Sequence, residues 1–280
     1  MRKTKNESNS DQEMNDFSSE FEIDPSLMGE EFNCRRTKRF PYAIVVNAEL
    51  SGIFIPEKSL IRSGWVSDLE LIEKDMPGNK ETGIFLTEVR MIILGFVNPY
   101  LKYKDTENVP LGLRGTVIDW YDSTTEKDKK TMDAVSEHLV MFLDSTNNFL
   151  HETPIRVRFK NVALWSLREG LEKYYSGMEY AFARITNSRH SSKDDKWRSL
   201  CVVDIKFKGV KEGQNKANSF CCKSEIINPT VENFGSLFLG TPSRMKEVID
   251  KYDTVVGFDE QFKLLLPEQP RLALPGKDSF

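Results

Sequence analysis

The feature that most constrains this fold is a six-residue alternation near the middle of the chain. From Ile155 to Lys160 the order is Ile, Arg, Val, Arg, Phe, Lys, so that apolar residues and cations strictly alternate. Because successive side chains of a β-strand point to opposite faces, this order predicts a strand with one core face. The other face then presents Arg156, Arg158 and Lys160.

The residues around this strand predict its neighbours. Leu139–Leu143 is apolar on both parities and predicts a strand buried on both faces, and 144–148 (DSTNN) has the composition of a turn. After the alternation, a stripe at three- and four-residue steps predicts a helix that ends at Ser176 and Gly177. Further strands are predicted at 179–185 and at 200–208. This order of strand, hairpin, strand, helix and strand resembles that of an OB-fold.

The chain as a whole predicts an α+β fold that is mainly β. We expect either an OB-like barrel or an antiparallel sheet with one packed helix, together with a smaller β-rich N-terminal part. The predicted divisions are a disordered acidic tail with a basic linker at 1–39, the β-rich N-terminal part at 40–110, the OB-like domain with its helix at 111–230, and a C-terminal helix with an extended tail at 231–280. A helix start is indicated by Thr241 and Pro242.

Charge is distributed unevenly along the chain. The formal net charge is -4, but residues 1–31 hold three cations against nine acids, whereas residues 154–216 hold 14 Lys and Arg against seven Asp and Glu. A local cationic excess of this kind is compatible with a polyanionic partner. With no apolar run of membrane-spanning length and no signal-peptide pattern, a cytoplasmic protein is expected. The four cysteines are expected to be reduced, and no cofactor is expected.

Catalytic motifs give little support to an enzyme. The sequence has no glycine-rich phosphate loop, no G-x-S-x-G and no H-E-x-x-H, and its three histidines fall on different predicted elements. His138 and His151 flank the hairpin and are interpreted as ordinary strand-end histidines. The acid pairs Asp119 with Asp122 and Asp194 with Asp195 are candidate magnesium ligands, although adjacent acids in loops are common.

Binding of single-stranded nucleic acid accounts for more of the pattern. A positive groove holds the phosphates of such a strand, and aromatic rings stack on its bases. If the strand at 155–160 shares a sheet with the strand at 200–208, their outward cations project from one surface, and the loop at 186–198 lies at its edge. The predicted nucleic-acid-binding residues are Arg156, Arg158, Lys160, Arg189, Lys196, Trp197, Arg198, Lys206, Lys208, Trp120 and Tyr121.

Two other functions remain open. The first is a protein-interaction or assembly subunit without nucleic-acid binding, in which the acidic N-terminal tail or a strand edge docks a partner. The second is a metal-dependent enzyme acting on nucleic acid. Phrases such as TGIFLTEVRMIILG and FLDSTNNFLHETPIRVRFKN, within about Phe40 to Pro229, resemble a family of uncharacterised cyanobacterial proteins of similar length. That resemblance implies no activity.

Overall fold

The fold is built on one large sheet. A computed structural model describes residues 40–76, 79–122, 128–211 and 219–263. The strands are β1 Tyr42–Val46, β2 Gly52–Pro56, β3 Ile72–Met76, β4 Asn79–Leu86, β5 Glu88–Tyr103, β6 Val117–Trp120, β7 Met132–Leu143, β8 Ile155–Lys160, β9 Val203–Lys211 and β10 Phe220–Ile226. The helices are α1 Glu57–Ser63, α2 Asn161–Ile185, α3 Asp195–Arg198, α4 Pro242–Asp253 and α5 Glu260–Lys263.

The ten strands lie in the order β10-β9-β5-β7-β8-β1-β2-β4-β3, and β6 pairs with the end of β5. The pairing of β1 with β8 is parallel, and the other described pairings are antiparallel. The sheet curls strongly into a half-barrel, with 38% strand and 27% helix. The predicted α+β, mainly β class is therefore confirmed.

Strands from both halves of the sequence contribute to this one sheet. Residues 40–110 supply β1 to β5, and β5 lies within the sheet between β9 and β7. The parallel pair that joins β1 to β8 sets Tyr42 beside Arg156 and Ile44 beside Arg158. Parallel pairing across more than a hundred residues leaves no local signal in a sequence.

Two apolar cores lie on opposite faces of the central strands. On the inner face, alternate residues of β5, β7 and β8 pack with α2. On the outer face, the other parity of β5 and β7 packs beneath α4 and the segment that follows it. Strand β7 is therefore buried along nearly its whole length, as Leu139–Leu143 predicts. The predicted turn is confirmed as well, and Asn147 within it has a positive φ of 68°.

Helix α2 is longer than the sequence predicts. The expected stop at Ser176 and Gly177 and the expected strand at 179–185 are both wrong, because the helix continues to Ile185. The glycines instead allow close packing: a Cβ at Gly170 would lie 2.9 Å from Ile226, and one at Gly177 would lie 3.1 Å from Pro229. They are seven residues apart and so lie on the helix face that meets β10 and its continuation.

The C-terminal helix prediction is confirmed. Helix α4 begins at Pro242 after the N-cap residue Thr241, and Val248 is fully buried against the outer face of the sheet. Within the described ranges, none of the helices combines the length and apolar composition needed to cross a membrane.

Candidate nucleic-acid interface

Strand β8 has the two faces that its alternation predicts. Ile155, Val157 and Phe159 are completely buried in the inner core. Arg156 and Arg158 point to the outer face with about a third of each side chain exposed, and Lys160 is more exposed. These three cations line one strand at intervals of two residues, about 6.8 Å apart.

A buried carboxylate on β7 holds the two arginines. Glu137 is directly opposite Arg158 in the β7–β8 ladder, and its side chain is 1% exposed. Its Oε1 accepts hydrogen bonds from Arg158 Nε at 2.9 Å and from the Tyr100 hydroxyl at 2.8 Å. Arg156 Nε lies 3.2 Å from Oε2. One negative charge therefore serves two guanidinium groups.

A second carboxylate extends the cluster toward β5. Asp133 Oδ2 lies 3.5 Å from Lys160 Nζ, and its Oδ1 lies 3.9 Å from Lys104 Nζ and accepts from Asn161 Nδ2 at 2.8 Å. Lys102 is paired with Asp133 in the β5–β7 ladder. We call this group the ionic cluster; its members are Lys102, Lys104, Asp133, Glu137, Arg156, Arg158 and Lys160.

The ionic cluster carries more positive than negative charge. Its five cations against two carboxylates leave a net charge of +3. The pKa of Lys102 is lowered, first by burial and then by the positive charge of Arg158, which outweighs the attraction of Glu137. Burial penalises a charge of either sign, so only the second cause, the positive charge of Arg158, favours an anion at this site.

The cations of β9 share this face of the sheet but not its charge balance. Lys206 forms an ion pair with Glu88, and Lys208 lies 2.6 Å from Glu225. β9 and β8 are separated by β5 and β7, and the outer core covers the central part of those two strands. The two rows of cations belong to one sheet, as the predicted surface requires. They do not form a continuous positive surface.

Two cations of the loop before β9 are likewise paired with carboxylates. Lys196 Nζ lies 3.0 Å from Asp253, and Arg198 is paired with Glu179 at 3.4 Å and Asp195 at 3.7 Å. Arg189 is exposed in the connection between α2 and α3. Arg198 is thus held by Glu179 of α2 on the inner face of the sheet, whereas Lys196 is paired with α4 on the outer face.

The aromatic residues expected to stack on bases pack against protein instead. Trp197 contacts Phe182 and Phe238, with ring centroids 5.5 and 5.3 Å apart. Trp120 packs on the outer core, and the ring of Tyr121 lies 4.7 Å from that of Trp165. Trp120 is the β6 partner of Tyr100, whose hydroxyl donates to Glu137 of the ionic cluster. Two tyrosines adjoin the cluster: Tyr100 is buried and donates to Glu137, whereas Tyr42 is half-buried and is the β1 partner of Arg156.

Four members of the ionic cluster were not predicted: Lys102, Lys104, Asp133 and Glu137. They lie on β7, on β5 and, for Lys104, directly after β5, and only the strand pairing brings them next to β8. One signal was available for Glu137, since it interrupts the long apolar pattern of β7. A carboxylate at such a position is expected to have a cationic partner.

The candidate metal ligands have other roles. Asp194 caps α3 by accepting from Trp197 N at 2.8 Å. His151 Nε2 accepts from Phe142 N at 2.8 Å, whereas His138 contacts Ser136, so the two histidines do not form a pair. In the part of the chain that the structure describes, no group of three or more His, Cys, Asp or Glu is placed to hold a metal ion.

Comparison with known proteins identifies a family but no activity. A family model described as "Domain of unknown function (DUF5895)" matches residues 37–271, so the chain belongs to that family. No curated protein and no solved structure matched the chain.

Proposed function

We propose from the geometry that the protein is a non-enzymatic binder of single-stranded nucleic acid, most simply DNA. The nucleic-acid strand lies across the ionic cluster. Membership of the family itself assigns no activity. The observation that carries the proposal is the net charge of +3 in a partly buried group of side chains that is held together by ion pairs. Phosphates of the backbone would compensate this charge and release counterions from the strand.

The chemistry of the ionic cluster suits phosphate. Arginine guanidinium groups can donate two parallel hydrogen bonds to a phosphate. Glu137 orients Arg158 by a hydrogen bond to its Nε and holds Arg156 by charge, with Oε2 3.2 Å from Nε. Lys160 is the most exposed of the cations whose ion pairs define the cluster and offers a mobile point charge. Tyr42, on the neighbouring strand, takes the place of the tryptophans as the proposed stacking residue.

The architecture gives support by analogy. The succession of β7, β8, α2 and β9 resembles the element order of OB-folds, which bind single strands on a curved sheet. Analogy of this kind concerns the fold, and the charge of the ionic cluster remains the argument for function. The proposal also includes a cytoplasmic location, with which the absence of a disulfide at Cys201 and Cys222 is consistent.

Fluorescence anisotropy tests the proposal. A labelled single-stranded DNA oligonucleotide is titrated with the full chain at two salt concentrations, and duplex DNA and single-stranded RNA serve as unlabelled competitors. We expect saturable binding that weakens as salt increases, with duplex DNA competing less well than the single strand. Absence of saturable binding at the lower salt concentration would reject the proposal.

A second function, that of an interaction or assembly subunit, is favoured by one apolar segment. Exposed apolar side chains are concentrated along the stretch from α1 to the start of β3, at Ile61, Val66, Leu69, Leu71 and Ile72. β3 is also the last strand of the sheet, so one of its edges is unpaired in the described structure. Sedimentation velocity of the wild type and of Leu71→Glu tests this function, because a lower association state in the variant alone would place the contact here. The acidic tail, the other expected docking element, lies outside the described residues.

A further inference from the structure

The end of α2 and the connection that follows it carry positive charge with no acid among them. Residues 180–193 (YAFARITNSRHSSK) hold Arg184, Arg189 and Lys193 and no aspartate or glutamate. Arg184 and Arg189 are exposed, and neither forms an ion pair with the described residues. The Lys193 ammonium group contacts the Ser191 hydroxyl at 3.1 Å and the ring of Phe182. None of the three cations is therefore paired with a carboxylate.

The acids on either side of this stretch do not remove its charge. Glu179 is buried and pairs with Arg198 at 3.4 Å, and Asp195 lies 3.7 Å from the same guanidinium group. Asp194 accepts from a backbone N–H at the start of α3. With every charge of residues 179–198 counted, five cations against three acids leave a net charge of +2. A surplus on an exposed connection is available to an anion from solution.

A small pocket lies on the surface where the connection turns back along α2. It has a volume of about 360 Å³, which is within the range of small-ligand sites. None of the described residues that line it carries a carboxylate. The lining residues are Tyr180, Ala183, Arg184, Asn187, Ser188 and His190.

The polar residues after α2 make this turn and satisfy the end of the helix. Thr186 N donates to Phe182 O at 2.9 Å, and Ser188 N donates to Ala183 O at 2.9 Å. Asn187 has a positive φ of 50°, a conformation that asparagine adopts more readily than most residues. The free carbonyl groups at the end of a helix repel anions. Because two of these carbonyl oxygens accept hydrogen bonds from the turn, that repulsion is reduced at the pocket.

The pocket combines groups that bind phosphate with an exposed aromatic ring. The Arg184 guanidinium group can donate two parallel hydrogen bonds to a phosphate, and the Asn187 amide and the His190 ring lie in the same lining. Tyr180 is 58% exposed, and its ring centroid lies 6.5 Å from that of His190. An exposed tyrosine ring offers a stacking surface to a base.

We propose that this pocket binds the phosphate monoester of a nucleoside. Arg184 and Arg189 bind the phosphate, and the base packs against Tyr180. A monoester carries close to two negative charges at pH 7, which match the two guanidinium groups better than the single charge of a diester does. A free nucleotide and the 5′ end of a nucleic-acid strand both present this group.

The site does not depend on the proposed function of the ionic cluster. Asn161, at the start of α2, donates to Asp133 of that cluster. The pocket lies at the opposite end of this 25-residue helix, roughly 35 Å away at 1.5 Å per residue. One nucleotide cannot reach both sites.

Nuclear magnetic resonance of the histidine rings provides the test, because the chain has three histidines and His190 alone of them lines the pocket. AMP is titrated into ¹⁵N-histidine-labelled full-length protein at pH 7 and low ionic strength, with adenosine and inorganic phosphate as separate probes. We expect AMP to shift the His190 signals saturably, with a dissociation constant of about 1 mM. Adenosine and inorganic phosphate should each bind about fivefold more weakly. The buried His138 and His151 should keep their chemical shifts.

Two matched arginine variants locate the phosphate contact. Arg184→Gln should weaken AMP binding about fivefold, whereas Arg168→Gln should leave it unchanged, because Arg168 is exposed on α2 outside the pocket. Both positions are on the helix surface, so loss of folding does not confound the test. Arg156→Gln with Lys160→Gln, in the ionic cluster, should also leave AMP binding unchanged, so failure of the proposed function is distinguished from failure of this site.

A trinucleotide of deoxyadenosine with and without a 5′ phosphate distinguishes the two sources of the phosphate. Tighter binding of the phosphorylated trinucleotide than of AMP would assign the pocket to the end of a strand, and the reverse order would assign it to a free nucleotide. His190 signals that neither phosphorylated probe shifts would overturn the proposal. So would adenosine that binds as tightly as AMP, or an Arg184→Gln variant with unchanged affinity.

Discussion

β8 and β9 carry the same alternation of apolar residues and cations, yet their charges are compensated differently. On β9, Lys206 and Lys208 each have their own exposed carboxylate, Glu88 and Glu225. On β8, Arg156 and Arg158 share the single buried Glu137. Such exposed one-to-one pairs contribute little to stability, and each pair is neutral in itself. The β8 arrangement leaves a positive surplus held in place by buried contacts.

The difference arises from the neighbouring strands. β9 lies between β10 and the start of β5, both of which place a glutamate beside a lysine. β8 lies between β7 and β1, and β1 supplies Tyr42 and Ile44 instead of acids. A row of cations on a strand therefore indicates a binding surface only when the acids of the adjacent strands are fewer than the cations.

The largest expected effect is on stability at the shared carboxylate. Glu137→Gln removes the charge that holds Arg156 and Arg158 and weakens the contact with the Tyr100 hydroxyl. We expect a loss of about 3 kcal/mol in the free energy of unfolding, because breaking a buried ion pair leaves charge uncompensated. Urea denaturation measures this loss in the free energy of unfolding. Glu225→Gln on β10 is the control, with an expected loss of less than about 1 kcal/mol. Equal losses would remove the distinction between the two strands.

A smaller effect is expected at the tryptophan that precedes β9. Trp197→Ala should lower the free energy of unfolding by about 2 to 3 kcal/mol, because its partly buried ring packs on Phe182 and Phe238. The affinity of the folded fraction for single-stranded DNA should stay the same. Tyr180→Ala, at an exposed aromatic of α2, is the matched control for stability. A Trp197→Ala variant that is as stable as the wild type but binds DNA more weakly would show that Trp197 belongs to the nucleic-acid interface.

The smallest expected changes in the free energy of unfolding distinguish the ionic cluster from β9. Lys102→Met should stabilise the protein at pH 7 by less than about 1 kcal/mol, because it removes a cation from a surplus of positive charge. Lys206→Met should not stabilise it, since the hydrogen bond to Glu88 raises the pKa of Lys206. Denaturant melts of the three proteins make the comparison. A Lys102→Met variant that is less stable than the wild type would contradict the surplus of positive charge in the ionic cluster.

The Lys102 effect also depends on pH. Because the pKa of Lys102 is lower in the folded protein than the ordinary value of 10.5, the unfolded chain binds more protons between those two pKa values. The stability of the wild type should therefore rise relative to Lys102→Met as the pH increases toward 10.5. Denaturation at a series of alkaline pH values measures this. A constant difference would show that Lys102 titrates normally.

Local patterns were sufficient to predict several of the elements and the two faces of β8. The alternation at 155–160, the turn at 144–148 and the start of α4 were all predicted correctly, since each depends on neighbouring residues. The strand predicted at 179–185 was wrong, because Gly177 was interpreted as a helix stop. In the structure its missing side chain makes room for Pro229, a contact that no local pattern records.

The composition of the candidate interface was harder to predict. The alternation identified Arg156, Arg158 and Lys160, but the balance of charge depends on Glu137, Asp133 and the β5 lysines, which pairing brings in from distant segments. The exposure of Trp120, Tyr121 and Trp197 likewise depended on which element covers them. Both questions concern tertiary contacts, about which sequence periodicity gives no information.

The most direct test of the account is the salt dependence of DNA binding in two double variants. Arg156→Gln with Lys160→Gln lowers the charge of the ionic cluster and leaves Arg158 on Glu137. Lys206→Gln with Lys208→Gln changes the same number of charges on β9. The account predicts that the slope of log affinity against log salt falls by about 1.4 for the first variant, and not for the second. Equal reductions in both variants, or none in either, would contradict it.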